Sequence, residues 1–170
     1  MPYLIAELNQ MSQEEFVEAV GAVFEDTPAI ARQAWNSRPF VNIIDLHQKM
    51  VAVVRRMGVE EQLTLIRAHP DLGSKAKMAE ASVKEQAGVG LDRLTPEEFE
   101  RFHALNQTYR DQFGFPFIVA VKNHTKTSIL EAFEHRLQNP MKVEMETAIA
   151  EIAEIARFRL LDLISDSSCC

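Results

Sequence analysis

Helix-start punctuation recurs along this chain and leaves little room for any fold but a helical one. Ser12-Gln13-Glu14-Glu15 is a capping box, in which the Ser12 hydroxyl accepts from the Glu15 amide while the Glu15 carboxylate reaches back. Thr95-Pro96-Glu97-Glu98 combines a cap residue, a proline at the first helical position and two acids at the positive end of the helix dipole. Thr27-Pro28 predicts a third start with Thr27 as N-cap, and Thr127 predicts a fourth.

Helical spacing of apolar residues follows each start. Phe16, Val20 and Val23-Phe24 face inward on the first helix, which ends near Asp26. The second runs through Ile30 and Trp35 to about Asn36, where Arg38-Pro39-Phe40 breaks it. From Val41 to Met57 the residues Ile44, Leu46-His47, Met50-Val51 and Val54 keep a helical period, and Gly58 is a stop. Gly58 to Ile66 predicts a short amphipathic helix. Ser74 to about Ala87 predicts a small-residue helix carrying Ala76, Met78, Ala79, Ala81 and Ser82, ended by Gly88-Val89-Gly90. The helix opened by Thr95 carries Phe99, Phe102, Leu105, Asn106 and Tyr109 and finishes at Gly114. Thr127 opens one through Leu137, stopped by Asn139-Pro140, and the last and longest runs from Met141 or Val143 to about Ile164.

One apolar run, Phe115 to Val121, lacks helical punctuation. Pro116 makes its start extended, so it reads as a buried loop or strand-like segment. With no repeat, low-complexity tract or long linker, the sequence predicts one all-α domain over residues 1–170. About eight helices pack around one core, with 166–170 a frayed tail.

Charge and cysteine usage narrow the function classes. A net charge of −7 and a pI near 5.3 disfavour nucleic acid or an anionic membrane as main partner, since both repel an acidic surface. The only cysteines, Cys169 and Cys170, are adjacent and cannot staple a fold, which predicts a reduced, cytoplasmic protein. No apolar run approaches the roughly 18 residues of a membrane span, and the start lacks the basic region of a signal peptide.

Polar residues on core-facing stripes are the informative anomalies. His69 falls three residues after Ile66 and four after Leu65, so its imidazole points inward at the last turn before Pro70 stops the helix. Two readings stand: a buried imidazole satisfied by a carbonyl, or a rigidly held general acid or base. Arg159 shares the inner face of the last helix with Ile152, Ile155-Ala156 and Leu163. There it pairs with a structural Glu, reaches the rim, or meets an anionic or carbonyl-rich ligand. Glu85 shares a face with Met78, Ala81 and Ser82, with Gln86 beside it. Ser82-Val83-Lys84-Glu85 also fits a capping box, which would give Glu85 a purely local task. His47, His103, His124 and His135 read as surface or helix-face residues.

Several chemistries lack their residues. There is no His-x-x-x-His, Glu-x-x-His or cysteine pair at ligand spacing, and Gly88-Val89-Gly90-Leu91-Asp92-Arg93 fails as a phosphate loop. What remains is an acid/base constellation of His69, Glu85 and Arg159, with Ser82 and Gln86 as hydrogen-bonding neighbours.

Taken together, several stretches resemble one family in its order of markers. They are Ser37-Arg38-Pro39-Phe40, Ala68-His69-Pro70-Asp71-Leu72, Ser82-Val83-Lys84-Glu85-Gln86-Ala87-Gly88, Leu105-Asn106-Gln107-Thr108-Tyr109 and Phe113-Gly114-Phe115-Pro116-Phe117-Ile118, then Glu151-Ile152 through Ile155 to Arg159-Leu160. The family is 2-oxo-4-hydroxy-4-carboxy-5-ureidoimidazoline (OHCU) decarboxylase, and the resemblance covers about residues 10 to 165. It implies an all-helical, cofactor-free, commonly homodimeric enzyme that removes CO2 from OHCU to give (S)-allantoin, the third step of urate breakdown. Carried over, the catalytic His falls on His69 and the catalytic Glu on Glu85. Substrate contacts fall on Ser82, Gln86 and Arg159, with Pro70 and the Phe117-Ile118-Val119 backbone lining the pocket. The turn Val89-Gly90-Leu91 is slightly longer than the family's usual Ala-Gly-Leu. Two alternatives are a non-catalytic helical binding or scaffold protein and a hydrolase of 5-hydroxyisourate.

Overall fold

The computed structural model describes residues 2–74 and 80–165. The expected frayed tail, Cys169 and Cys170, and the start of the small-residue helix with Ala76, Met78 and Ala79 lie outside the described residues. Among those described, the chain is all-α: α1 (Ile5–Gln10), α2 (Gln13–Val20), α3 (Ala29–Ala34), α4 (Ile43–Arg56), α5 (Val59–Arg67), α6 (Glu80–Gly88), α7 (Pro96–Phe113), α8 (Lys126–Arg136) and α9 (Met141–Leu163). Short 3-10 turns sit at Gly21–Val23, Trp35–Ser37 and Val121–Asn123. The only β-type pairing among the described residues is an isolated bridge between Tyr3 and Ile164.

The capping boxes at Ser12 and Thr95 form as the sequence predicts, each side chain accepting from the third helical amide. Two starts differ. Thr27 does not cap α3: its hydroxyl donates to the Glu25 carbonyl at 2.7 Å, and Pro28 occupies the cap position. The cap of α8 is Thr125, not Thr127. Thr125 accepts from Ser128 N while the Ser128 hydroxyl accepts from Thr125 N, a box that uses Ser where Glu or Gln is usual. In α4 the buried residue is Ile43, and Ile44 is 67% exposed, because Asn42 caps the helix and sets its phase.

Among the described residues, 2–65 with 153–165 form one compact unit, and 66–74 with 80–152 form another. In the first, α2 packs on α3 and α3 on α4, burying Phe16, Phe24, Ile30, Leu46 and Met50, with Phe16 stacked on Phe40 at 5.6 Å. In the second, α7 packs on α8 around an aromatic cluster of Phe102, Tyr109, Phe113, Phe115, Phe117 and Phe133. Phe115 to Ala120 is buried throughout and carries no regular secondary structure, the buried loop that the sequence predicts.

The caps carry a pH signature. Backbone amides at Ser12 and Thr95 hold the Glu15 and Glu98 carboxyls below their usual range, and the Val41 amide does the same for Asp45. A lowered pKa in the folded state means that this stability is present above the unfolded value and is lost as pH falls through the folded one. Thermal unfolding followed by circular dichroism should therefore show a melting temperature that declines as pH drops below the ordinary Glu value of 4.5. Glu15→Gln with Glu98→Gln should flatten that decline.

Candidate active site

His69 lies two residues past the end of α5 rather than inside its last turn. Its amide donates to the Ile66 carbonyl at 3.2 Å, so the chain leaves the helix through a tight turn before half-buried Pro70. The imidazole is buried, at 6% exposure, as the helical stripe predicts.

The chain after His69 is gripped at successive residues, through the Asp71 side chain and then the backbone of Leu72 and Gly73. Arg110 of α7 pairs with Asp71 at 2.9 Å, Asn106 Nδ2 of α7 donates to the Leu72 carbonyl at 2.9 Å, and the Gly73 amide donates to Gln86 Oε1 of α6 at 2.9 Å. Arg67 Nε donates to the Gly114 carbonyl at 3.1 Å, tying the end of α5 to the end of α7. Gly73 has φ 70°, a left-handed conformation in which a side chain is strained, so glycine suits this turn. A proton-transfer group gains from such a mount, because its efficiency depends on a fixed reach to the reacting atom.

Gln86 therefore has a second task beside the predicted substrate contact. Its Oε1 accepts from Gly73 and its Nε2 donates to the Asp71 carbonyl at 3.5 Å, leaving one further lone pair and one N–H of the amide. Ser82 is buried and Glu85 half-buried on the same helix. Ser82 stands inside α6, whose described part begins at Glu80, so the capping-box reading of Ser82 and Glu85 fails: a cap residue precedes the first turn. The far end of α6 is set by Gly90. Leu91 N donates to the Gln86 carbonyl at 2.9 Å and Gly90 N to the Ala87 carbonyl at 3.0 Å, with Gly90 at φ 83°. This Schellman arrangement is the path of the slightly longer turn. Helix α6 packs against the Val121–Asn123 turn, which follows the buried Phe117-Ile118-Val119 backbone after Ala120.

Arg159 belongs to the other unit, on α9. It is 6% exposed, and its NH1 donates to Glu25 Oε2 at 3.0 Å and to the Val23 carbonyl at 3.4 Å. Glu25 is itself only 2% exposed. The inward Arg is thus met by a buried carboxylate, one of the options its position left open. Sequence reasoning missed Glu25 and found no task for Asn106. Glu25 sits at the end of an apolar run, and the residue that explains it is 134 positions away.

His47 Nε2 lies 2.7 Å from the Ala153 carbonyl, a partner its sequence position did not suggest. His124 Nδ1 lies 2.9 Å from the Ser128 hydroxyl, and His103 stacks on Phe99. Among the described residues no group of three His, Cys, Asp or Glu side chains is placed to hold a metal ion. No described helix is long and apolar enough to cross a membrane.

A family model described as OHCU decarboxylase matches residues 9–161. This chain belongs to the OHCU decarboxylase family. It is 45% identical over 159 residues to the 2-oxo-4-hydroxy-4-carboxy-5-ureidoimidazoline decarboxylase of Halalkalicoccus jeotgali, covering 94% of this chain and 90% of that one. To the Haloferax volcanii protein of the same name it is 40% identical, covering 95% and 96%. Against the uric acid degradation bifunctional protein PucL of Bacillus subtilis the identity is 43%, and the match spans 96% of this chain but only 33% of PucL. Among solved structures, an (S)-allantoin synthase superposes with a TM-score of 0.78 at 31% identity, covering 96% of this chain and 54% of that one. An OHCU decarboxylase solved in the presence of (S)-allantoin shares the fold, with a TM-score of 0.70 at 23% identity, covering 92% and 100%.

Proposed function

We propose that this chain is a carboxy-lyase that converts OHCU to (S)-allantoin. The observation that carries the reading is the family match over residues 9–161, a span that takes in His69, Ser82, Glu85, Gln86 and Arg159. The clasped, buried His69 supports it from the structure.

OHCU contains its own electron sink. The C4 carbon bearing the carboxylate neighbours a ring C5=N bond, so the electron pair left by CO2 flows into that bond and gives an enediamine. Protonation at C5, with the 4-hydroxyl losing its proton to become a carbonyl, completes allantoin. In this scheme His69 exchanges a proton with the 4-hydroxyl or a ring nitrogen, and Glu85 orients His69 or shares the transfer. Arg159, Ser82, Gln86 and the amides of Phe117 to Val119 hold the ureido and ring carbonyl groups, beside Pro70. A single bound pose confines protonation to one face of C5, which accounts for the S product.

The test is to generate OHCU in situ from urate and follow (S)-allantoin by circular dichroism. Accelerated, enantioselective formation is expected, and only the uncatalysed racemic rate would overturn the reading. Glu85→Gln should lower turnover at least tenfold. A thermal scan of the same variant reads any structural share of Glu85, and a lowered melting temperature with near-parental turnover would overturn its catalytic role. We further propose that the chain acts in the cytoplasm as a homodimer, the state implied by the family resemblance, and analytical ultracentrifugation reads the stoichiometry directly. No metal or other cofactor enters this scheme.

A further inference from the structure

The segment Phe115 to Ala120 is buried yet pairs with no strand among the described residues, so its carbonyls and amides need other partners. One of them is unusual. The Ile118 carbonyl accepts from Arg136 NH1 at 2.6 Å, and Arg136 sits at 6% exposure in the last turn of α8. Arg136 Nε donates to Glu144 Oε1 at 2.8 Å, and Glu144, near the start of α9, is fully buried. The Tyr109 hydroxyl of α7 donates to the same oxygen at 2.6 Å, and Asn139 Nδ2 donates to Glu144 Oε2 at 2.8 Å. The guanidinium also lies 4.3 Å from the Phe117 ring centroid, and that ring stacks on Phe133 at 3.8 Å.

A buried ion pair is seldom needed for stability alone, since well-packed apolar residues of similar volume usually serve as well. An apolar pair could not hold a carbonyl. The peptide joining Ile118 to Val119 is planar and trans, so a carbonyl fixed on Arg136 turns the Val119 N–H the opposite way. Among the described residues nothing accepts from that amide.

We propose that Arg136 is a positioning residue for the decarboxylation: by gripping the Ile118 carbonyl it aims the Val119 amide at a carbonyl oxygen of the bound ureide. This rests on the proposed function, in which the Phe117 to Val119 backbone lines the pocket.

Two variants and one measurement on the parent test it. In Arg136→Lys the ammonium can still pair with Glu144 but lacks the fork that reaches Ile118 at the same time. In Arg136→Met with Glu144→Leu the whole pair is replaced by apolar groups. Both should keep the helical circular dichroism spectrum, raise KM and weaken (S)-allantoin binding about tenfold, the equivalent of one hydrogen bond, and change kcat much less. KM and allantoin affinity within twofold of the parent in a folded variant would overturn the positioning role, whatever happens to the melting temperature. Should neither variant fold, amide hydrogen exchange on the parent decides: allantoin should slow exchange at Val119. Binding without protection there overturns the proposal and leaves the decarboxylase reading intact, whereas absence of both allantoin binding and OHCU turnover overturns the reading itself.

Discussion

Replacing His69 by Asn should lower turnover of OHCU by about 10²–10⁴-fold, the range over which a positioned acid/base group contributes. The fold should survive, because the grip on this turn is on its backbone and on Asp71. Asn106 holds the Leu72 carbonyl, Gln86 the Gly73 amide, and Arg110 the Asp71 carboxylate, and none of these bonds uses the imidazole. Asn fills part of the same space and keeps a polar group that can bond locally. Progress curves by circular dichroism, with thermal unfolding on the same samples, separate the roles. Near-parental turnover with a lowered melting temperature would mean that His69 is a structural histidine and that the proton comes from elsewhere.

Arg159→Met should destabilise the protein by about 3–5 kcal/mol, as it strips a buried carboxylate of its counter-charge. The carboxylate is Glu25, at 2% exposure and 3.0 Å from the guanidinium. For a chain of this size the loss corresponds to a melting temperature lower by roughly 10 °C. The double variant Glu25→Gln with Arg159→Met should recover much of it, since no uncompensated charge is left inside. The gentler Arg159→Lys keeps the charge but loses the planar fork, and should weaken (S)-allantoin binding by roughly 1.5–3 kcal/mol. Chemical denaturation of the three variants, paired with allantoin titrations, reads both quantities. Lost stability with intact affinity in Arg159→Lys would confine Arg159 to a structural role beside Glu25.

The two substitutions differ in how far the sequence anticipates them. His69 is legible because its evidence is local: the spacing from Leu65 and Ile66, and Pro70 as a terminator, lie within six residues. Its offset of two residues from α5 is the usual uncertainty of a helix end. Glu25 has no such local mark, and a phenylalanine before it with a turn after it describes many surface acids. Arg136 reads as an ordinary basic residue in the last turn of a helix, where it would favour the dipole from the outside. Only burial against Glu144, Tyr109 and Ile118 shows otherwise.

The same distinction runs through the helix starts. Ser12 and Thr95 announce themselves because a capping box is written in four consecutive residues. Thr127 misleads because Thr125 competes for the same task and wins through Ser128, a less familiar partner. Thr27 misleads because its hydroxyl donates back to the Glu25 carbonyl and Pro28 takes the cap position.

By itself, then, the sequence determined the helical class, most helix boundaries, the buried extended run from Phe115, and the inward placement of His69, Ser82 and Arg159. Each follows from interactions within a turn or two of chain, where spacing alone brings groups together. Tertiary structure alone decided the partners: Glu25 for Arg159, Asn106 and Gln86 for the turn after His69, and Arg136 with Glu144 for the Ile118 carbonyl. Those pairs are separated by 8 to 134 residues, and at such distances it is packing, not spacing, that selects which buried donor meets which acceptor.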